Sequence, residues 1–126
     1  MNLKVGDIMK DINLLKNNGV DVDSALDLLG DIEMYNETLQ DFLDVSSERM
    51  PKLETYKKNQ DMKNYAIEVH ALKSDSKYLG FTTLAEMALE HQLKSEENNI
   101  EYINKHYDEL INEANNKINL VKKYLN

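Results

Sequence analysis

The stretch DMKNYAIEVHALKSDSKYLG, residues 61–80, decides how this chain folds. Asp61 carries the kind of side chain that accepts hydrogen bonds from the open amides of a helix start, and Gly80 is the residue that most readily takes the left-handed turn at a helix end. Between them, Met62, Tyr65, Val69, Leu72 and Leu79 fall in one arc when successive residues are turned by about 100°. The spacing predicts a helix over residues 62–79 with that arc turned inward. His70 lies off the core, roughly 130° from the centre of the arc, and Lys63, Ala66, Ile67, Lys73, Ser74 and Lys77 cluster within about 60° of it. Small side chains one turn away on either side leave the imidazole standing clear, while three lysines supply positive charge. Histidine can act as base, ligand or nucleophile near neutral pH, and this surrounding predicts something anionic beside it.

Other segments repeat the helical period. Residues 3–16 carry Leu3, Ile8, Ile12 and Leu15 at ragged helical spacing and end at Asn17, Asn18 and Gly19, predicting a short leading helix. Asp23 or Ser24 is expected to cap a brief turn through Leu29. Ile32, Tyr35, Leu39, Phe42 and Leu43 then form one apolar face of a first long helix. Pro51 lies inside this run, and an interior proline loses a backbone bond and clashes with the turn before it, so a kink or break is predicted between residues 45 and 50, with Ser46 or Ser47 capping the second piece. Thr83 followed by Glu86 reads as a capping box opening a helix that runs to about Glu97. Ile103, Tyr107, Leu110, Ala114, Ile118, Val121 and Leu125 predict a last helix of about 25 residues. No segment alternates as a strand does. The expected fold is all-α: an antiparallel up-down four-helix bundle with an additional short N-terminal helix across one end, in a single domain over residues 1–126.

Composition narrows the function. With 15 basic and 23 acidic residues the net charge is −8, which opposes general binding to nucleic acid. There is no cysteine, which removes disulfides, thiolate zinc sites and cysteine nucleophiles. No stretch approaches the roughly 18 apolar residues of a membrane span, and the first residues lack a signal pattern, so a cytoplasmic protein without membrane contact is expected.

His70, Lys73 at +3, the small Ser74 at +4 and Gly80 at +10, with a capped helix directly afterwards, resemble the histidine phosphotransfer (HPt) domain family. The segment GVDVDSALDLLGD at residues 19–31, followed by Tyr35 and Phe42, also looks like that family's N-terminal part, so the resemblance covers roughly residues 19–125. Ser74 stands where the family most often has glycine, Gln92 where glutamate is common, and Pro51 inside what is normally one long helix. The resemblance implies a phosphorelay carrier: His70 accepts a phosphoryl group from a receiver-domain aspartyl phosphate and passes it to another receiver. Lys73 stabilises the phosphoryl oxygens, with Lys77 as electrostatic support. A partner surface formed by the first and third long helices is expected to dock the receiver through Ala66, Ile67, Ala71, Ser74 and Tyr78, with Gly80 as a structural element of the motif.

No glycine-rich phosphate loop or G-x-x-x-x-G-K-[ST] motif is present, so the domain is expected to be no kinase on ATP, to hold no cofactor and to leave magnesium to the receiver. A monomer is expected. A phosphorylation-silent module that binds a receiver or sensor kinase is the alternative, against which His70 and Lys73 stand together. A metal site would have to draw on His70, Glu90, His91 and His106, but no two histidines share the i, i+4 spacing of a helical zinc site, and no metal is expected. His91 reads as a packed or hydrogen-bonded bundle residue and His106 as solvated surface.

Overall fold

Side-chain oxygens at the turns set where most of the helices begin. The computed structural model describes residues 10–126, which form six helices and no strand: α1 Ile12–Lys16, α2 Val22–Leu29, α3 Ile32–Lys58, α4 Met62–Leu79, α5 Thr82–Glu96 and α6 Ile100–Leu125. Asp11, Asp21, Asp31, Asp61 and Asn99 each accept a hydrogen bond from a backbone amide two or three residues on, supplying partners to amides that no helical carbonyl reaches. Of the leading helix expected over residues 3–16, Leu3 and Ile8 lie outside the described residues. The α2 cap is Asp21 rather than Asp23 or Ser24, because the Ser24 amide and hydroxyl both donate to the Asp21 carboxylate, at 3.2 and 2.8 Å.

α4 adjoins α3 and α5, and α6 adjoins the same two, so the four long helices enclose one core. α1 lies against α6, and α2 lies against α3 and α4. Tyr35, Leu39, Phe42 and Leu53 of α3 meet Tyr65, Val69, Leu72 and Leu79 of α4 in that core, all of them buried. Burying each such side chain stabilises the fold by about 1.5–3 kcal/mol.

Two expected helix caps, at Ser46 or Ser47 and at Thr83, are absent, and Pro51 breaks no helix. α3 runs unbroken through Pro51, and Ser47 caps nothing; its hydroxyl donates to the Asp44 carbonyl inside the helix. Pro51 is exposed, as is Ser47, whose carbonyl would have received the missing amide, so water can serve that carbonyl. Phe42, Ser46, Arg49 and Leu53, buried on the other side, hold the helix through the gap. Likewise, Thr83 opens no capping box: α5 begins at Thr82 with Phe81 in the cap position and no side-chain cap bond. Phe81 is fully buried, its ring 5.2 Å from that of Phe42 at a near-perpendicular angle, and this packing fixes the start of α5. Ile32, assigned to the apolar face of α3, is exposed.

The α4–α5 turn holds the structure at one point. Gly80 takes φ +82°, the Phe81 amide donates back to the Ser76 carbonyl at 2.9 Å, and the Tyr35 hydroxyl donates to the Leu79 carbonyl at 2.9 Å. The Asp21 amide donates to the Gly80 carbonyl at 2.9 Å, which seats the start of α2 directly on the glycine. A Cβ at Gly80 would collide with the Asp21 backbone, whereas one at Gly19, also at positive φ, would meet nothing. Gly80→Ala therefore combines left-handed strain with a backbone clash and should cost about 3 kcal/mol or more in urea unfolding, against about 1 kcal/mol for Gly19→Ala. Equal losses in the two variants would show that α2 does not rest on Gly80.

A buried histidine gives the fold a pH dependence. His91 of α5 is 2% exposed, with Nδ1 2.8 Å from the Tyr65 hydroxyl and its ring against Tyr102. Burial pushes the His91 pKa down to about 4, only partly opposed by a hydrogen bond to the His106 backbone. Burial also pushes Tyr65 well above its ordinary value, so its hydroxyl keeps its proton. Released in the unfolded chain, His91 takes up a proton below about pH 6.5, whereas in the folded chain it does so only near pH 4. The stability tied to neutral His91 is thus complete above about pH 6.5 and is lost as pH falls towards 4, at about 1.4 kcal/mol per unit. Urea midpoints of wild type and His91→Gln between about pH 7 and pH 4.5 should diverge, with the variant losing less; parallel curves would remove His91 from the account.

Candidate functional site

α4 sorts its charges onto two sides. Its carboxylates Glu68 and Asp75 point to α3, where the guanidinium of Arg49, itself 4% exposed, lies 3.6 Å from the first and 3.0 Å from the second. Lys63, Lys73 and Lys77 are left on the side that carries His70, and among the described residues none of the three forms an ion pair. Lys63 and Lys77 are exposed and Lys73 is half-buried. A cationic face on an acidic chain is therefore local, made by drawing the acids of one helix to the opposite side.

His70 is exposed, and its ring is held from α5. Nδ1 lies 3.1 Å from Oε1 of Gln92, and Nε2 of the same amide donates to Oε2 of Glu96 at 3.2 Å. A carboxylate can only accept, so the amide nitrogen must face Glu96 and the amide oxygen must face His70. An oxygen there requires a proton on Nδ1. The neutral ring then presents its other nitrogen, Nε2, as a bare lone pair.

Two grooves open along α4, the first of them lined by His70. One, of about 700 Å³, runs between α4 and α5 past Met62, Lys63, Ala66 and Ile67 to Ser95, Glu96 and Asn98. The other, of about 770 Å³, lies among α2, α4 and α5, with Leu28, Tyr78, Ala85 and Leu89 as its apolar part and Lys73, Ser74 and Lys77 beside them. Ile67, Tyr78, Leu28, Leu89 and Leu93, on α2, α4 and α5, are apolar side chains between 41% and 58% exposed.

These positions refine the expected surface. Ile67 and Tyr78 stand exposed and Ser74 is half-buried, whereas Ala66 is buried and contributes by leaving room, and half-buried Ala71 lines neither groove. The helices that line these two grooves with α4 are α5 and, in the second, α2. α3, which the sequence pairs with α4 in that surface, reaches the far flank of Tyr78, in a smaller groove with Asp41, Phe42 and Val45. Leu28, Leu89, Leu93 and Glu96 were missed. The signal for Leu89 and Leu93 is in α5, which carries them as a second stripe at i, i+4 beside the buried stripe of Leu84, Ala88, His91 and Ser95. One inward face does not need both.

His106 is half-buried rather than plainly solvated: Nδ1 lies 3.2 Å from Glu109, and the ring stacks 4.3 Å from that of Tyr102. His91 is taken by Tyr65. Among the described residues no group of three or more histidines and carboxylates is arranged to hold a metal ion, and no helix is long and apolar enough to cross a membrane.

Comparison with known proteins agrees with the motif. No curated protein and no solved structure matches the chain. The family model of the Hpt domain matches residues 37–116, from the first turns of α3 into α6, so that His70, Lys73, Gly80 and Gln92 all lie within the match. More than half of the chain is covered, and the chain belongs to the Hpt domain family, the histidine phosphotransfer modules of two-component phosphorelays.

Proposed function

We propose that this domain accepts a phosphoryl group on His70 from the aspartyl phosphate of one receiver domain and delivers it to the aspartate of another. The observation that carries this reading is the exposed imidazole whose Nδ1 is engaged by Gln92, which leaves Nε2 as its other nitrogen, on a helix whose three lysines form no ion pair among the described residues. In the forward step the Nε2 lone pair forms a bond to phosphorus, the phosphorus–oxygen bond to the aspartyl group breaks, and its electron pair returns to that carboxylate. In the onward step a carboxylate oxygen of the second receiver attacks phosphorus and the electrons of the nitrogen–phosphorus bond return to Nε2. Lys73 offsets charge on the phosphoryl oxygens, and Lys77 raises the local potential. Magnesium belongs to the receiver, and the domain itself carries phosphate without using ATP.

Docking is assigned to the apolar side chains around the histidine: Ile67 and Tyr78 on α4, Leu89 and Leu93 on α5 and Leu28 on α2. They form the core of a modest interface with a charged rim, the pattern of transient partners. The two- and three-residue connections after α3, α4 and α5 support the antiparallel up-down order of the bundle that presents them.

The reading is tested by incubating the protein with a phosphorylated receiver and magnesium and following acid-labile, base-stable phosphate. Wild type should acquire it and His70→Gln should not, while Lys73→Ala should slow transfer by about 10- to 100-fold with folding unchanged. Binding without transfer across a panel of receivers would instead favour a silent regulatory module. Separately, Leu89→Glu and Ile67→Glu should each weaken receiver binding at least about tenfold without altering helical content, whereas Val45→Glu, on the α3 flank, should leave it unchanged. Loss of binding in the Val45 variant alone would move the interface to α3.

A further inference from the structure

The amide of Gln92 has two faces, and only one of them prepares His70 for attack. Turned as it is, Oε1 receives the proton of Nδ1 and leaves Nε2 bare. Turned over, it would present its NH₂ to Nδ1, which would then have to accept, placing the ring proton on Nε2 and blocking the nucleophile. Gln92 by itself does not choose between these states, since the two ends of its amide have the same shape and the side chain is only half-buried. The choice is made one turn on. Glu96 lies 3.2 Å from Nε2 of Gln92, and a carboxylate facing the turned-over amide would oppose oxygen to oxygen with no proton between them. Among the described residues Glu96 forms no ion pair, so its charge is not diverted to a lysine.

We propose that Glu96 is a positioning residue for phosphotransfer: acting through Gln92, it fixes His70 as the Nδ1–H tautomer and so selects Nε2 as the atom that takes phosphate. The inference rests on the phosphotransfer reading for its kinetic consequence only; the tautomer is a property of the unphosphorylated domain. The same line of groups serves the reaction as it proceeds. When the Nε2 lone pair bonds to phosphorus and the aspartyl oxygen leaves with its electron pair, the ring acquires positive charge that Nδ1–H shares. That proton already points at an amide oxygen whose nitrogen donates to a carboxylate, so the negative charge of Glu96 is relayed towards the cation that forms. The contact works from outside the reaction centre, because Glu96 touches neither the ring nor the phosphoryl group.

Imidazole ¹⁵N spectra of the full chain, in mildly alkaline solution, read the tautomer directly, and transfer from a phosphorylated receiver reads its consequence. Wild type should show His70 with a protonated Nδ1 and an unprotonated Nε2. Glu96→Gln should give a mixture of both tautomers and transfer about fivefold slower. The exchanged pair Gln92→Glu with Glu96→Gln puts a carboxylate on Nδ1–H and an amide behind it, and should restore the single tautomer and most of the rate. A merely structural contact would not be rescued by that exchange. An Nε2–H tautomer in wild type, or an unchanged tautomer in Glu96→Gln, would overturn the proposal. Failure of the wild type to accept phosphate from any receiver would strike the phosphotransfer reading instead, leaving the spectra to decide the role of Glu96.

Discussion

The close approach of the Asp21 backbone to Gly80 is the constraint on which the arrangement around His70 depends. Three things converge on the last turn of α4: a left-handed glycine, the hydroxyl of Tyr35 from the core of α3, and the backbone amide that begins α2. Because Gly80 has no Cβ, α2 can sit directly on the turn, and Leu28 is thereby carried to the groove that Tyr78 and Leu89 share. Because the turn is only two residues long, α5 must run back along α4, and Gln92 comes opposite His70. A side chain at position 80 would therefore disturb the site from two directions without touching the histidine.

Arg49 supplies the electrostatic counterpart. It is the only arginine in the chain and is almost wholly buried, with Nη1 lacking any hydrogen-bond partner. Burying a charge in that state costs several kcal/mol unless close carboxylates compensate, and Glu68 and Asp75 provide two. Hydrophobic side chains of the same size would hold α3 to α4 as well or better. What they would not do is hold the two acids of α4 on the α3 side. With those acids drawn away, the other side of α4 carries cations alone, and a doubly charged phosphoryl group can approach a chain whose net charge is −8.

How much of this could be read beforehand follows from whether a feature is local. α4 was legible to the residue, because its cap, its apolar arc and its glycine stop all lie within one stretch of twenty. The exposure of His70 on that helix was legible for the same reason. Pro51 was misread because the cost of a helical proline depends on which side it faces, and only packing shows that Pro51 and the carbonyl it strands both face water. Thr83 was misread because the burial of Phe81 against Phe42 outweighed a capping box worth about 1 kcal/mol. The α5 half of the site was the least legible part. Leu89, Leu93 and Glu96 gain meaning only once the two-residue turn sets α5 against α4, and pattern on one helix says nothing about the register of two.

α5 joins stability to function within a single turn. His91 and Gln92 are neighbours in sequence with opposite tasks: His91 points into the core and bonds Tyr65 of α4, while Gln92 points out and bonds His70 of the same helix. Tyr65 and His70 are five residues apart on α4, so these two hydrogen bonds fix both the rotation and the axial position of α5 relative to α4. The inner bond lies in a region of low dielectric, where it is strong and costly to leave unmade; the outer one is exposed to water and weaker by itself. Rigidity for the exposed pair is thus borrowed from the buried pair beneath it. On the proposed reading the site can remain open to a protein partner while the imidazole of His70 is held at a set angle, because the element that orients it is anchored on its other face.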